Sequence, residues 1–155
     1  MKEKAIKHYH ESALYLMEQV IVYTRLKGAQ FFNELKMGVT IDQFVTLDVL
    51  CTNSDICQRD LSKLILKDRS NTGRILTILE EKGFITRAVE TKGKRLVKKI
   101  YVTEKGTKLV QESMPKLRNA FYNVFENISD EEFTILRVVL EKIRTSLSKT
   151  TNIQI

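Results

Sequence analysis

Residues Lys67 to Gly83, KDRSNTGRILTILEEKG, carry both ends and both faces of a helix. Asp68 is a residue type that caps helix N-termini, and Gly83 can end a helix in the left-handed conformation that a Cβ resists. At about 100° per residue, Thr72, Ile75, Leu76 and Leu79 fall on one stripe and are expected to be buried. The opposite face carries Ser70, Arg74 and Thr77, with Asn71 on its flank and Arg69 in the first turn. Short polar groups around an Arg suit the reading of base edges in a major groove. A surface helix built only for solubility more often carries Glu and Lys there.

Downstream, Phe84 to Glu90 and Val97 to Thr103 are rich in β-branched residues and read as two strands. The joint between them, Thr91-Lys92-Gly93-Lys94-Arg95-Leu96, reads as a loop with a glycine tip. Lys92, Lys94, Arg95, Lys98 and Lys99 crowd this hairpin. Lysine on an edge strand blocks aggregation, which accounts for Lys98 and Lys99. It does not account for the tip, which has no ladder to protect. Upstream, a helix is expected from about Gln58 to Leu66 with Leu61, Leu64 and Ile65 inward, followed by the turn Lys67-Asp68-Arg69. Two short helices joined by a tight turn, the second with a polar outer face, make a helix-turn-helix. The basic hairpin makes it winged. Before it, Thr40 and Gln43 form a capping box that opens a helix bearing Phe44, Leu47, Val49 and Leu50.

The flanks are different in kind. Residues from about Lys4 to Met37 read as one long helix, or two with a bend near Gly28. Ala13, Leu14, Leu16, Met17, Val20, Ile21, Val22, Leu26, Phe31, Phe32 and Leu35 lie almost all round it. A helix apolar on more than one stripe needs more than one neighbour, and here the second is expected to be another subunit. Thr103 is expected to cap a helix from Glu104 towards Asn127, kinked at Pro115. Its apolar side holds Leu109, Leu117, Phe121, Val124 and Phe125. Ser129 and Glu132 form a second capping box before a helix reaching about Ser148, with Phe133, Leu136, Leu140, Ile143 and Leu147 as its stripe. Ile135, Val138 and Val139 widen that stripe. The expected fold class is mostly α (α+β), a winged helix-turn-helix flanked by N- and C-terminal dimerisation helices. The expected domains are 1–37 for the N-terminal dimerisation helix, 40–106 for the winged lobe, 107–149 for the C-terminal dimerisation helices and 150–155 for a frayed tail.

Charge separates the same regions. The net charge is +7. Between Cys57 and Gly106 stand 13 Lys and Arg against 6 Asp and Glu, and the rest of the chain holds 13 of each. All of the excess therefore falls on the helix-turn-helix and hairpin, as a phosphate-binding face requires. No run approaches the ~18 uncharged residues of a membrane span, and the N-terminus has no signal-peptide pattern, so a cytoplasmic protein without membrane partners is expected. Cys51 and Cys57 lack a zinc-ligand spacing. Cys57 stands at a helix N-terminus, where a thiol becomes a better redox target, so a redox-responsive regulator using Cys57 or Cys51 is one alternative. His8 and His10, if helical, sit about 200° apart and form no ligand pair. No nucleophile, base and orienting group come together, so neither catalysis nor a cofactor is expected.

The segments VTIDQFVTLDVL, QRDLSKLILKDRSNTGRILTILEEKGFITR, YVTEKG and ISDEEFTILRVVLEKI, in that order, resemble the multiple-antibiotic-resistance regulator (MarR) family of bacterial transcription factors. The resemblance covers about Val20 to Leu147. It implies a homodimer whose two winged lobes enter successive major grooves of a pseudo-palindromic double-stranded DNA site, most simply as a repressor. It places the DNA contacts on Arg69, Ser70, Asn71, Thr72, Arg74 and Thr77 of the recognition helix and on Lys92, Lys94 and Arg95 of the wing. Arg74 would contact a base, Thr72 or Thr77 a phosphate or a thymine methyl, and Lys94 or Arg95 the minor groove. It also implies a small-molecule effector cavity between the dimer helices and the lobes. One departure stands out: where the family's wing carries an Asp, one residue and then an Arg, this chain has Lys94 and Leu96. The alternative from another class is a winged helix used as a protein-interaction module, which would more often turn Leu, Phe or Tyr outward.

Overall fold

Ser12 sets the start of the first long helix, its hydroxyl accepting from the Tyr15 amide at 3.1 Å. A computed structural model describes residues 7–54, 56–92 and 95–151, and the side chains at 92 and 95–97 lie outside that description. The chain forms two compact units, Met1–Phe44 and Val45–Ile155.

In the first unit, helix α1 spans Ala13–Glu34. It begins later than expected because Ser12 is extended and caps it, while Tyr9–Glu11 before it form a 3-10 turn. The expected start at Lys4 lies outside the described residues. The non-α geometry brings His8 and His10 into a stack, ring centroids 5.4 Å apart and planes within 12°, where an α-helix would have separated them. α1 runs unbroken through Gly28. A Cβ there would meet Ile41 Cδ1 at 2.8 Å, so the glycine serves packing rather than bending. The helix stops short of Met37 because Lys36 and Gly38 adopt positive φ. Only Gly28 and Phe32 of α1 are buried, and Phe32 packs on Phe44 with centroids 5.2 Å apart. Leu16, Val20, Ile21, Val22, Tyr23 and Leu26 are all more than half exposed.

The capping box at Thr40 is present in both directions: the Gln43 amide donates to Thr40 Oγ1 at 3.3 Å, and the Thr40 amide to Gln43 Oε1 at 3.2 Å. It opens α2, Ile41–Thr52. In the second unit Thr46, Leu47 and Leu50 of α2 are buried and Val49 is half-buried.

Helix α3 spans Gln58–Ile65 and helix α4 Arg69–Glu81. The inward set expected for α3 needs correction at Leu64, which is 55% exposed. Positions 58, 61, 62 and 65 form the i, i+3, i+4, i+7 stripe, so Leu61 and Ser62 are buried and Leu64 falls off it. Leu66, at φ 51, turns the chain between the helices. On α4, Thr72, Ile75, Leu76 and Leu79 are all buried, as their spacing predicts. Gly83, at φ +73, ends the helix and starts the hairpin.

Strands β1, Ile85–Lys92, and β2, Arg95–Val102, pair antiparallel from Ile85↔Val102 to Lys92↔Arg95. Pairing thus continues into the stretch 91–96 expected as a loop, with Thr91 opposite Leu96 and Lys92 opposite Arg95; Thr91, like its β-branched neighbours, favours a strand. Residues 93 and 94 lie outside the described set. The base of the hairpin is core: Ile85 and Ile100 are buried, whereas Val89 and Lys98 further out are exposed. Together with Leu47, Leu61, Leu76 and Leu79, all but free of solvent contact, they form the centre of the lobe. Each such leucine stabilises by roughly 1.5–3 kcal/mol.

Helix α5 spans Glu104–Tyr122 and α6 Asp130–Thr150. α5 ends before Asn127, with Asn123 as its C-cap. Its buried face is Gly106, Val110 and Ser113, while Val124 and Phe125, expected on its apolar side, lie beyond it and are exposed. The Ser129–Glu132 capping box is complete. No residue of α6 is buried, and Phe133, Ile135, Leu136, Val138, Val139 and Leu140 all face solvent.

Candidate nucleic-acid interface

The outer face of α4 is built from its capping residue. Asp68 accepts the Asn71 backbone amide at 2.8 Å and the Asn71 side-chain amide at 2.5 Å. These bonds hold the Asp68 carboxyl below the usual carboxylate range, the backbone bond most strongly. Asn71 Oδ1 in turn accepts from Arg74 Nη2 at 3.4 Å. The cap thus reaches, through Asn71, to the guanidinium in the middle of the face. Gln58, at the start of α3, donates to the Arg69 carbonyl at 3.1 Å and ties the two helix N-termini together.

Arg69, Ser70, Asn71, Arg74 and Thr77 are all exposed. Thr72 is not. It is fully buried, its hydroxyl donating back to the Asp68 carbonyl at 2.8 Å, so the expectation of a DNA contact from Thr72 is corrected. Its place on the inner stripe, four residues before Leu76, decides this. No Asp or Glu lies between Arg69 and Leu79, which leaves the exposed face without negative charge along its first turns.

Sequence reasoning missed two side chains that brace the site. Arg87 on β1 reaches back to α4, Nε donating to Glu80 Oε2 at 2.8 Å and its backbone amide to Glu80 Oε1 at 3.0 Å. Arg87 Nη2 also donates to Thr77 Oγ1 at 3.3 Å. The side-chain bond from Arg87 is the main reason the Glu80 carboxyl sits below its ordinary range. On the hairpin, Glu90 accepts from Tyr101 Oη and pairs with Lys99 Nζ at 3.2 Å across the strands. Nothing in the local sequence marks these partners, because the glycine turn and the strand register bring them together. On the wing, Lys98 is exposed, whereas the side chains of Lys92 and Arg95, and all of Lys94, lie outside the described residues.

The joint behind the helix is also polar. Thr103 Oγ1 donates to the Gly83 carbonyl at 2.8 Å and accepts the Gly106 amide at 3.1 Å. Lys105 Nζ donates to the Lys82 carbonyl at 2.7 Å, a cation at the C-terminus of α4 where the helix dipole favours one.

Elsewhere the chemistry is sparse. Cys57 caps α3, but its thiol donates to Asp60 Oδ2 at 3.1 Å, and Arg59 and Lys63 pair with that same carboxylate. The Cys51 thiol is pushed up by loss of solvent and by Asp48, which makes it a poorer nucleophile at neutral pH. Among the described residues no group of His, Cys, Asp and Glu is arranged to hold a metal ion, and no helix is long and apolar enough to cross a membrane. A cavity of about 560 Å³ lies at the corner of α5 and α6, walled by Phe121, Tyr122, Phe125 and Phe133 with Arg118 at its edge.

A helix pair joined by a tight turn, with a polar second helix and a hairpin behind it, is a winged helix-turn-helix. Residues 39–97 match the MarR family. The family is one of transcriptional regulators and not of enzymes. The chain is 23% identical over 149 residues to an uncharacterized HTH-type transcriptional regulator, YsmB, of Bacillus subtilis (strain 168), covering 96% of this chain and 99% of the relative. Its fold superimposes on a MarR/EmrR family regulator from Acinetobacter sp. ADP1 with a TM-score of 0.82 at 21% identity, over 92% of this chain and 99% of that one. It is also similar to S. aureus MepR in its complex with DNA, with a TM-score of 0.77 at 25% identity, over 88% of this chain and 98% of the other.

Proposed function

We propose that the protein is a homodimeric, sequence-specific double-stranded-DNA-binding transcriptional regulator that acts in the cytoplasm as a repressor. In this reading α4 lies in the major groove, with Arg69, Ser70, Asn71, Arg74 and Thr77 towards the DNA, and the 91–96 wing with Lys92, Lys94 and Arg95 follows the minor groove. The single observation that carries it is the exposed face of α4. It is polar, carries no Asp or Glu from Arg69 to Leu79, and lies within the stretch Cys57 to Gly106, whose charge excess equals that of the whole chain. A protein-binding helix would present apolar anchors there instead. The similarity to a regulator solved on DNA supports the same conclusion.

Dimerisation is supported by the flanks. Both α1 and α6 leave broad apolar faces in solvent, far more than a stable monomer exposes. A second copy covering them would set two lobes on one duplex, and half-sites then fall about one helical turn, ~34 Å, apart. A dimer seated over a promoter blocks polymerase by occupancy alone, which is the simplest mode of repression. Sedimentation of the full chain alone and with a duplex of its own upstream DNA tests this part. Two chains per particle in both states are expected, and a stable monomer on DNA would refute it.

A further inference from the structure

A polar junction forms where β1 meets α4. Arg87 grips Glu80 through its side chain and its backbone amide together, which fixes the guanidinium plane. From that plane Nη2 reaches Thr77 Oγ1 at 3.3 Å. Thr77 stands three residues before Glu80 on the same side of α4, and it is exposed beside Arg74. A hydroxyl has one proton and two lone pairs. Once a lone pair takes an N–H from a cation, the remaining lone pair is a weaker acceptor and the polarised hydroxyl proton is the stronger group to offer outward.

We propose that Arg87 is a positioning residue for DNA recognition, fixing Thr77 as a hydrogen-bond donor towards the duplex. The inference rests on the reading of α4 as the recognition helix. The complementary chemistry is an acceptor on DNA: a purine N7, guanine O6 or thymine O4 in the major groove, or a phosphate oxygen. An exocyclic amino group facing Thr77 would put two donors together and is selected against. Because Glu80 pairs with the guanidinium, part of the Arg87 charge is already neutralised within the protein. Its effect runs through the Thr77 hydrogen bond rather than through charge neutralisation.

The test uses the full chain, a duplex that the unmodified protein selects from a random pool, and a scrambled duplex, each at two salt concentrations. Arg87→Lys keeps the positive charge opposite Glu80 but loses the planar fork that spans to Thr77. Thr77→Val and Arg87→Lys are each expected to weaken binding to the selected duplex about fivefold to tenfold. The double variant is expected to bind no more weakly than Thr77→Val alone, and Thr77→Ser to bind as the parent does. The dependence of binding on salt, and the thermal midpoint of Arg87→Lys, should stay unchanged. Loss confined to the selected duplex assigns the acceptor to a base edge, and equal loss on both duplexes assigns it to a phosphate. Losses that simply add in the double variant, or full binding by Thr77→Val, overturn the proposal. So does an Arg87→Lys variant that loses thermal stability while binding as before. Failure of the underlying reading looks different: the unmodified protein would then enrich no sequence and bind neither duplex.

Discussion

Gly106 sits so close to Phe84 that a Cβ on it would lie 2.3 Å from the Phe84 carbonyl oxygen. The same oxygen accepts the Thr103 amide at 3.0 Å, and the Phe84 amide donates to the Leu79 carbonyl at 2.9 Å. The end of α4, the root of the hairpin and the start of α5 therefore meet at one residue, Phe84. Gly106→Ala must push backbone aside, since Val102 Cγ1 closes the other side at 2.8 Å. It is expected to destabilise by about 1–3 kcal/mol or more, read from the urea midpoint. Unchanged stability would show that α5 and the hairpin root are not in this close contact.

Two leucines of the helix-turn-helix should behave oppositely. Leu76 has no exposed surface, and Leu76→Ala is expected to cost about 2–5 kcal/mol. Leu64 is 55% exposed, and Leu64→Ala should change stability by no more than about 0.5 kcal/mol. Chemical denaturation of the two variants side by side decides whether the α3 stripe runs as described.

Acid should loosen the fold through its caps and braces. Hydrogen bonds hold the Asp68, Glu80 and Glu132 carboxyls below their ordinary range. A carboxyl with a lower pKa when folded stabilises above its unfolded value, about 3.9 for Asp and 4.3 for Glu, and that stability is lost as pH falls through the folded value. Thermal midpoints are thus expected to hold steady from pH 7 to about 5 and to drop below about 4. Asp68→Asn keeps a capping oxygen but no longer titrates, so its acid drop should be smaller than the parent's. An equal drop would remove Asp68 from the account.

Arg74 and Lys92 should fail in different ways. Arg74→Ala is expected to cost about 1–3 kcal/mol on the preferred site and to relax preference at one base position. Lys92→Ala should weaken all duplexes alike and reduce the salt slope by about one. Equal losses on preferred and random DNA for Arg74→Ala would mean that another side chain reads the base.

What was legible in the sequence was local. Asp68, Gly83 and the stripe Thr72, Ile75, Leu76, Leu79 lie within one helix, and spacing alone assigns their faces. The capping boxes at Thr40 and Ser129 are equally local. Thr72 shows the limit of residue type as a guide: threonine suits both a core stripe and a DNA face, and its position on the stripe excludes the second role. Leu64 misled because α3 is too short for periodicity to choose between neighbouring faces. Arg87 with Glu80, and Glu90 with Lys99 and Tyr101, were invisible because a glycine turn or strand register brings each pair together.

The most direct test of the central claim is selection of duplexes from a random-sequence pool by the full chain, followed by titration of the enriched duplex and a scrambled control at two salt concentrations. The account predicts enrichment of a pseudo-palindrome with half-sites about one helical turn apart, bound more tightly than the control and more weakly as salt rises. A folded protein that enriches no sequence and binds both duplexes equally, or not at all, would contradict it.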